Sequence, residues 1–218
     1  FGDIPVSDQG RIVFVIGADK GEFVTIPVLP PERNMVDSVS TVILEADGTI
    51  KGNDSIKYSG AFAETFRHIY KYESALAQKQ ALENVLNKFI PAAKLETYSI
   101  TGFDTLAEVI IYERQYVAKE YASVADDLLI IGVPLQKIGL QENVSTASRI
   151  HPLMLGQTMI RNGNMELKIP DGYSVRNFPM EVVLKNSFGE YQEKYEIDGN
   201  NVLRCNNSFR LEKIQIEP

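Results

Sequence analysis

The chain has few residues suited to nucleophilic or metal chemistry: one cysteine, Cys205, and two histidines, His68 and His151. A reactive cysteine needs its pKa lowered by a helix N-terminus or by a paired histidine. Cys205 lies within a predicted strand, in phase with Leu203 and Phe209, and alternate residues of a strand share one face. The sequence therefore predicts a buried core thiol at this position and not a catalytic one.

The sequence also gives no indication of a metal site or of a catalytic pair of carboxylates. Neither histidine belongs to a local ligand motif, so a zinc site built from the histidines and the cysteine is an alternative without support from spacing. Asp126-Asp127 and Glu73 are neighbours or single residues, and neighbouring side chains of a strand point apart. A hydrolase with paired carboxylates is a second alternative, and solvated surface acids are the ordinary interpretation. We predict no catalytic, cofactor-binding or metal-binding residue, and no cofactor.

Two glycine-containing segments resemble fragments of calcium loops: Asp47-Gly48-Thr49 and Asp198-Gly199-Asn200. Both lack the alternating ligands and the closing glutamate of such loops. Asp-Gly sequences are also typical of tight turns, because these residues tolerate positive φ. We therefore interpret both segments as turns between strands.

Five tyrosines lie in the predicted strands: Tyr112, Tyr116, Tyr121, Tyr191 and Tyr195. Aromatic side chains on an exposed sheet face can stack on sugars, which suggests a carbohydrate-binding or cell-wall-binding module as an alternative function. The chain contains no tryptophan. We therefore favour tyrosines that line strand faces and keep their hydroxyls hydrogen-bonded at the rim.

The elements that would position these residues are mostly strands. Alternating apolar residues flanked by turn signals predict a hairpin at residues 11–16 and 22–28, a second at 36–46 and 49–58, and later strands at 94–101, 107–121, 127–133, 165–169, 182–187, 191–197 and 202–216. Between them, apolar residues at helical spacing predict a helix or a helical pair at 61–90, which Pro91 ends. Residues 134–163 are predicted to be mostly loop. The fold class is mainly β (α+β): an antiparallel β-sandwich-type architecture with a helical segment or helical hairpin inserted near residues 61–90.

Composition excludes several partner classes. The net charge is −7 and the basic residues are interleaved with acidic ones, whereas nucleic-acid binding needs a concentrated basic surface. No apolar run approaches the roughly 18–20 residues of a membrane-spanning helix. One cysteine cannot form an internal disulfide, so cysteine usage does not identify the compartment. Because the first residue is Phe1, we expect a segment of a longer polypeptide.

A series of short motifs resembles a known family. They are Phe1-Gly2-Asp3-Ile4-Pro5 with Gln9-Gly10-Arg11, then Pro30-Pro31-Glu32-x-Asn34, Asp47-Gly48, Ser59-Gly60-Ala61, Ile169-Pro170-Asp171-Gly172-Tyr173 and Ser187-Phe188-Gly189-Glu190-Tyr191. Their order and spacing resemble the C-terminal region of bacterial transglutaminase-like proteins, which carry a papain-like core between domains of unknown function.

The resemblance implies a function and a domain layout. The catalytic Cys, His and Asp of the family belong to a core that would precede Phe1, so Cys205 and His151 match none of them. Residues 1–32 would be a lead-in and hairpin after that core, and residues 33–218 an accessory domain with a possible sub-boundary near 135–163. We expect a non-catalytic structural or interaction module that packs on its own upstream core, with protein or cell-wall glycan as further possible partners. The family context also implies a periplasmic or cell-envelope location.

Overall fold

Most of the chain folds around one large β-sheet. The structure is a computed structural model that describes residues 4–103, 109–134 and 149–217. Its strands in chain order are β1 (Ile12–Ile16), β2 (Gly21–Thr25), β3 (Met35–Leu44), β4 (Ile50–Ser59), β5 (Lys94–Thr101), β6 (Val109–Ala118), β7 (Ser123–Ala125), β8 (Leu128–Ile130), β9 (Leu153–Met154), β10 (Met159–Lys168), β11 (Val182–Lys185), β12 (Gly189–Ile197), β13 (Val202–Leu211) and β14 (Gln215–Ile216). Eight of them form a sheet in the order β11-β12-β13-β10-β3-β4-β6-β5.

The fold class predicted from the sequence is confirmed: the chain is mainly β with two helices, an α+β fold. The arrangement differs from the expected antiparallel sandwich in two ways. The eight strands lie in a single sheet, and β3 pairs with β10 in parallel, so the sheet is mixed. The apolar alternation of a strand identifies its buried face but carries no information about the direction of a neighbour more than a hundred residues away. The remaining strands form three two-stranded sheets, β1-β2, β7-β8 and β9-β14.

Local turn chemistry determines the connections of the β3–β4 and β12–β13 hairpins. Between β3 and β4, Gly48 adopts φ +83°, and the amide of Thr49 donates to Asp47 Oδ1 at 2.9 Å. Between β12 and β13, Asp198 Oδ1 accepts from the amides of Asn200 at 2.9 Å and Val202 at 3.1 Å. Both segments are therefore the turns that the sequence predicts.

The helical segment is a pair, α1 (Ala61–Tyr70) and α2 (Ala75–Asn87). Ser74 caps α2, because its side chain accepts a hydrogen bond from the amide of Ala77. Buried Asn34 anchors the start of α1: its Oδ1 accepts from the amide of Ala61, and its Nδ2 donates to the carbonyl of Thr158, each at 3.0 Å. Asn34 thereby links α1 to the segment that leads into β10.

Both helices pack on one face of the sheet, which we call the inner face. Two hydrophobic clusters occupy it. The larger joins Leu86 of α2 and Ile90, which follows α2, to sheet residues that include Val42, Leu167 and Cys205. The smaller cluster lies under α1 and consists of Val36, Ile56, Ala63, Phe66, Tyr70, Leu82, Leu95, Ile110 and Tyr112. The outer face of the sheet carries mostly polar side chains.

Strand β10 begins six residues before the predicted start at residue 165. Two inner-face positions of its first half are Arg161 and Gly163, so the apolar alternation that marks a strand begins only at Met165. The expectation of loop over residues 134–163 is thus wrong for 159–163, and it falls partly on residues 135–148, which lie outside the described residues.

The domain division at residue 32 remains a prediction, although β1 and β2 do form a sheet of their own. The possible sub-boundary near 135–163 also lies partly outside the described residues. In the described part of the chain, neither helix is long and apolar enough to cross a membrane.

Candidate functional site

Cys205 is fully buried on the inner face of β13, opposite Met165 of β10 and Tyr195 of β12. Burial raises the pKa of its thiol to about 12, and the carboxylate of Glu193 acts in the same direction, while the Tyr195 hydroxyl opposes it. The thiol is therefore protonated at neutral pH. The predicted core position of Cys205 is confirmed.

This environment predicts slow reaction of Cys205 with thiol reagents. At a pKa of about 12, only about one thiol in ten thousand is ionised at pH 8. We expect a maleimide to label the native chain at least about a hundredfold more slowly than the chain in denaturant, where the thiol has its ordinary pKa. Mass spectrometry over time measures both rates. Rapid labelling of the folded chain would contradict the buried, neutral thiol.

The other candidate residues do not come together with Cys205. His68 lies on the exposed side of α1, and His151 is exposed ahead of β9. Asp126-Asp127 forms the exposed turn between β7 and β8, with Asp126 at φ +53°, and not part of a strand as expected. Among the described residues, no group of three His, Cys, Asp or Glu side chains could hold a metal ion.

The five tyrosines do not form an exposed platform. Tyr112, Tyr116 and Tyr195 are buried on the inner face. Tyr191 and Tyr195 both donate to the carboxylate of Glu193, the latter at 2.5 Å, and Tyr121 donates to the carbonyl of Gly132 at 3.0 Å. Three of the rings are buried and the other two, Tyr121 and Tyr191, are half-buried, so they present no exposed stacking surface. The expectation of hydrogen-bonded hydroxyls is confirmed for Tyr121, Tyr191 and Tyr195 and is wrong for the two tyrosines of β6.

The inner face carries a buried ion pair near its centre. Asp54 of β4 and Arg114 of β6 are register partners, and their side chains are only 4% and 11% exposed. Arg114 uses Nε at 2.7 Å and Nη2 at 2.6 Å to contact the same oxygen, Asp54 Oδ2. Burial would lower the pKa of Arg114, but the carboxylate of Asp54 and the neighbouring tyrosines outweigh it and raise that pKa.

Several polar atoms around this pair have no hydrogen-bond partner. They are Asp54 Oδ1 and the hydroxyls of Tyr112 and Tyr116, all buried. The guanidinium of Arg114 lies 5.7 Å from the centre of each tyrosine ring. Burial raises the pKa of both tyrosines, so their hydroxyls stay protonated. Buried polar groups of this kind are usually hydrogen-bonded, so each exception requires a physical explanation.

A pocket of about 180 Å³ lies between the helices and the part of the sheet that carries Tyr112 and Arg114. We call it the helix crevice. Its floor comes from β4 and β6 and its walls from α1, α2 and the residues after α2; it is lined by Ile56, Tyr58, Phe62, Thr65, Phe66, Ile69, Tyr70, Leu82, Val85, Phe89, Tyr112 and Arg114. It is a candidate ligand site, since it joins an apolar pocket to convergent polar groups.

A second arginine lies beside the crevice. Arg161 of β10 places its guanidinium 5.0 Å from the ring centre of Phe62, and its Nε has no hydrogen-bond partner. Burial lowers the pKa of Arg161, and the nearby Tyr58 opposes this. Burial also raises the pKa of Tyr58 to about 12. Within the described part of the chain, Arg161 forms no ion pair with a carboxylate.

The sequence reasoning missed these charged residues, although a signal existed. Asp54 lies in phase with Ile50 and Ile56, and Arg114 lies in phase with the two buried tyrosines of β6. A charge at an apolar position of the alternation indicates a buried, paired group. Both charges fall on adjacent strands, which the hairpin pattern alone does not reveal.

The β1–β2 hairpin exposes large apolar side chains, whereas the large sheet buries those of its inner face. Register pairs place Ile12, Phe14, Ile16 and Phe23 on one side of it, which we call the hairpin face. These four side chains are 55–82% exposed, and the rings of Phe14 and Phe23 contact each other with centres 5.0 Å apart. The hairpin face is an apolar surface with no covering element among the described residues.

Comparison with known proteins finds a similarity for part of the chain. No curated protein matches it. Residues 127–218 match the model of a family described as Domain of Unknown Function with solved-structure structure (DUF3858). This match covers less than half of the chain and includes β10 to β13, four strands of the large sheet. The C-terminal part of the chain is therefore similar to a domain family of unknown function.

Proposed function

We propose that the chain is a non-catalytic interaction module that docks, through the hairpin face, on a transglutaminase-like domain of its own parent protein. The observation that carries the proposal is the exposure of all four large side chains of that face. The resemblance of the motifs from Phe1 to Tyr191 to the C-terminal region of transglutaminase-like proteins supplies the partner.

The β1–β2 hairpin presents a contiguous apolar surface to solvent. Contiguous exposed hydrophobic residues are uncommon on soluble proteins except where a partner covers them. Ile12, Phe14 and Ile16 alternate along β1, and Phe23 lies opposite Phe14, so they form one surface and not scattered single residues. An aromatic pair at its centre is the kind of group that contributes most to binding energy at interfaces.

The non-catalytic part of the proposal has its own support. The single thiol is buried with a raised pKa, and both histidines are exposed on other elements. Chemistry of the transglutaminase-like type requires a thiolate held beside an imidazole. The same resemblance extends the proposal to a bacterial protein of the periplasm or cell envelope, with another protein or a wall glycan as a further partner.

A binding measurement between the chain and the preceding domain of its parent tests the proposal. We expect Ile16→Asp and Phe23→Asp each to weaken the complex at least about tenfold, because a carboxylate would be buried in an apolar interface. The matched control is Val183→Asp on the edge strand β11, where valine is 57% exposed. Isothermal titration gives the affinities, and circular dichroism checks that each variant is folded.

Two results would count against this function. The first is that the chain does not bind the preceding domain when the two are mixed as separate proteins, and that the hairpin is not protected from proteolysis in the intact parent. The second is an equal loss of affinity for Val183→Asp and the hairpin variants, which would place the contact elsewhere.

A further inference from the structure

The helix crevice has the size of a small ring compound. Its volume is about 180 Å³, and a cavity of roughly 150 Å³ in a protein core is enough to bind benzene. Most of its wall is hydrocarbon, from residues such as Phe66, Leu82 and Phe89. The crevice therefore suits an apolar body of about six to ten non-hydrogen atoms.

Its mouth is open to solvent between the helices. Ile69 of α1 and Val85 of α2 line the crevice and are 48% and 38% exposed. Two helices that pack tightly on each other would bury such residues at their contact. Here the facing apolar side chains leave a gap, which a ligand could enter without movement of the sheet.

The floor supplies hydrogen bonds that the protein itself does not use. Tyr112 lines the crevice and is only 2% exposed, and although Arg114 is close enough to act on the pKa of its hydroxyl, the hydroxyl proton has no acceptor among the described residues. Arg114 lines it too, and both of its contacts with Asp54 go to one oxygen of that carboxylate. A ligand with an acceptor oxygen at the floor would satisfy the Tyr112 hydroxyl and take a further donor from the guanidinium.

The charge around the crevice favours an acid over a base. Asp54 balances Arg114, whereas Arg161 has no carboxylate partner within the described part of the chain. These three side chains therefore sum to one positive charge in a region of low dielectric. The whole chain carries −7, so this local excess of positive charge is not a reflection of general composition.

We propose that the helix crevice binds a small monocarboxylic acid with an aromatic or branched hydrocarbon body. The body lies among Phe66, Leu82 and Phe89, and the carboxylate points to the Tyr112 hydroxyl and the Arg114 guanidinium. Arg161 contributes its charge from behind Phe62 without contacting the ligand. The crevice is on the helical side of the sheet and is separate from the hairpin face.

Phenylacetate, benzyl alcohol and benzylamine are suitable probes, because they share the ring and differ in charge. We expect the intact chain to bind phenylacetate at least about tenfold more tightly than benzylamine, with the alcohol between them. Chemical-shift perturbation of the amides gives the affinities and the location. Val85→Trp should fill the crevice and reduce phenylacetate binding at least about tenfold, whereas Leu76→Trp, on an exposed part of the same helix, should leave it unchanged.

Two further variants separate the roles of the polar residues. Arg161→Gln should lower the preference for phenylacetate over benzyl alcohol at least about threefold and leave binding of the alcohol unchanged, because only the charge is lost. Tyr112→Phe should weaken the binding of phenylacetate by a similar factor, at least about threefold. If Val85→Trp does not fold, Ile69→Trp blocks the same mouth from α1.

Specific outcomes would overturn the proposal. The first is that phenylacetate does not bind at any concentration at which it is soluble. The second is that the three probes bind with equal affinity. The third is that phenylacetate binding persists in folded Val85→Trp or Ile69→Trp. Failure of the hairpin variants to affect docking would not bear on these measurements, since the two surfaces are made from different elements.

Discussion

Replacement of Asp54 by alanine should lower the free energy of unfolding by about 3–5 kcal/mol, because it leaves a buried arginine without its counter-ion. Arg114 is 11% exposed, and among the described residues its carboxylate contact is Asp54. Water replaces little of the lost attraction, because the guanidinium lies between two tyrosine rings and its side chain is only 11% exposed. Chemical denaturation followed by circular dichroism measures the difference.

A double replacement tests whether the loss comes from the uncompensated charge. Asp54→Leu with Arg114→Met should be much more stable than Asp54→Ala alone, because neither side chain then buries a charge. Glu166→Ala is the matched control: it breaks the solvent-exposed pair with Arg204 on the outer face, and should leave the unfolding midpoint unchanged. If Asp54→Ala behaves like Glu166→Ala, the central ion pair is not a significant part of the fold's stability.

Local sequence signals predicted much of the fold. The Asp47-Gly48 turn, the helical spacing after Gly60 and the alternation in β13 each depend on neighbouring residues, and the structure places all three as expected. The same holds for Cys205, because its burial follows from its phase with Leu203. These features are set by residues close together in the chain, which is why a sequence pattern can reveal them.

What the sequence did not reveal depends on distant residues. The parallel pairing of β3 with β10 joins segments on either side of the helices, and no turn residue specifies it. The crevice likewise needs both helices and two strands at a fixed separation. The phase of Asp54 and Arg114 within their strands indicates burial, but only the register of β4 and β6 shows that they are partners.

The buried polar groups and the crevice are related by the order of residues across the sheet. Three adjacent rows run from β4 to β6: Gly52 opposite Tyr116, Asp54 opposite Arg114, and Ile56 opposite Tyr112. Tyr116 of the first row belongs to the larger hydrophobic cluster, and both residues of the third row belong to the smaller one. The ion pair therefore separates two apolar regions, and it is the arginine side of the pair that lines the crevice.

The second large effect is expected at Gly52. A Cβ atom there would lie 2.0 Å from Cζ and 2.3 Å from Oη of Tyr116, whose ring crosses the glycine on the inner face. An aromatic ring laid over a strand glycine in this way fills the space that a side chain would otherwise occupy. We expect Gly52→Ala to lower the free energy of unfolding by about 1–3 kcal/mol, as overpacking does in a dense core.

Gly52→Ala is expected to destabilise the fold, whereas the same replacement at an unobstructed glycine would stabilise it. In an open strand, alanine in place of glycine would stabilise the fold by roughly 0.5–1 kcal/mol, because it restricts the unfolded chain. Gly199→Ala is the control, since a Cβ there meets nothing within 4 Å. In the Tyr116→Leu background, Gly52→Ala should be neutral or stabilising, because the ring that excludes the methyl group is gone. Destabilisation of similar size in both backgrounds would mean that the strand backbone, and not the buried ring, requires glycine at this position.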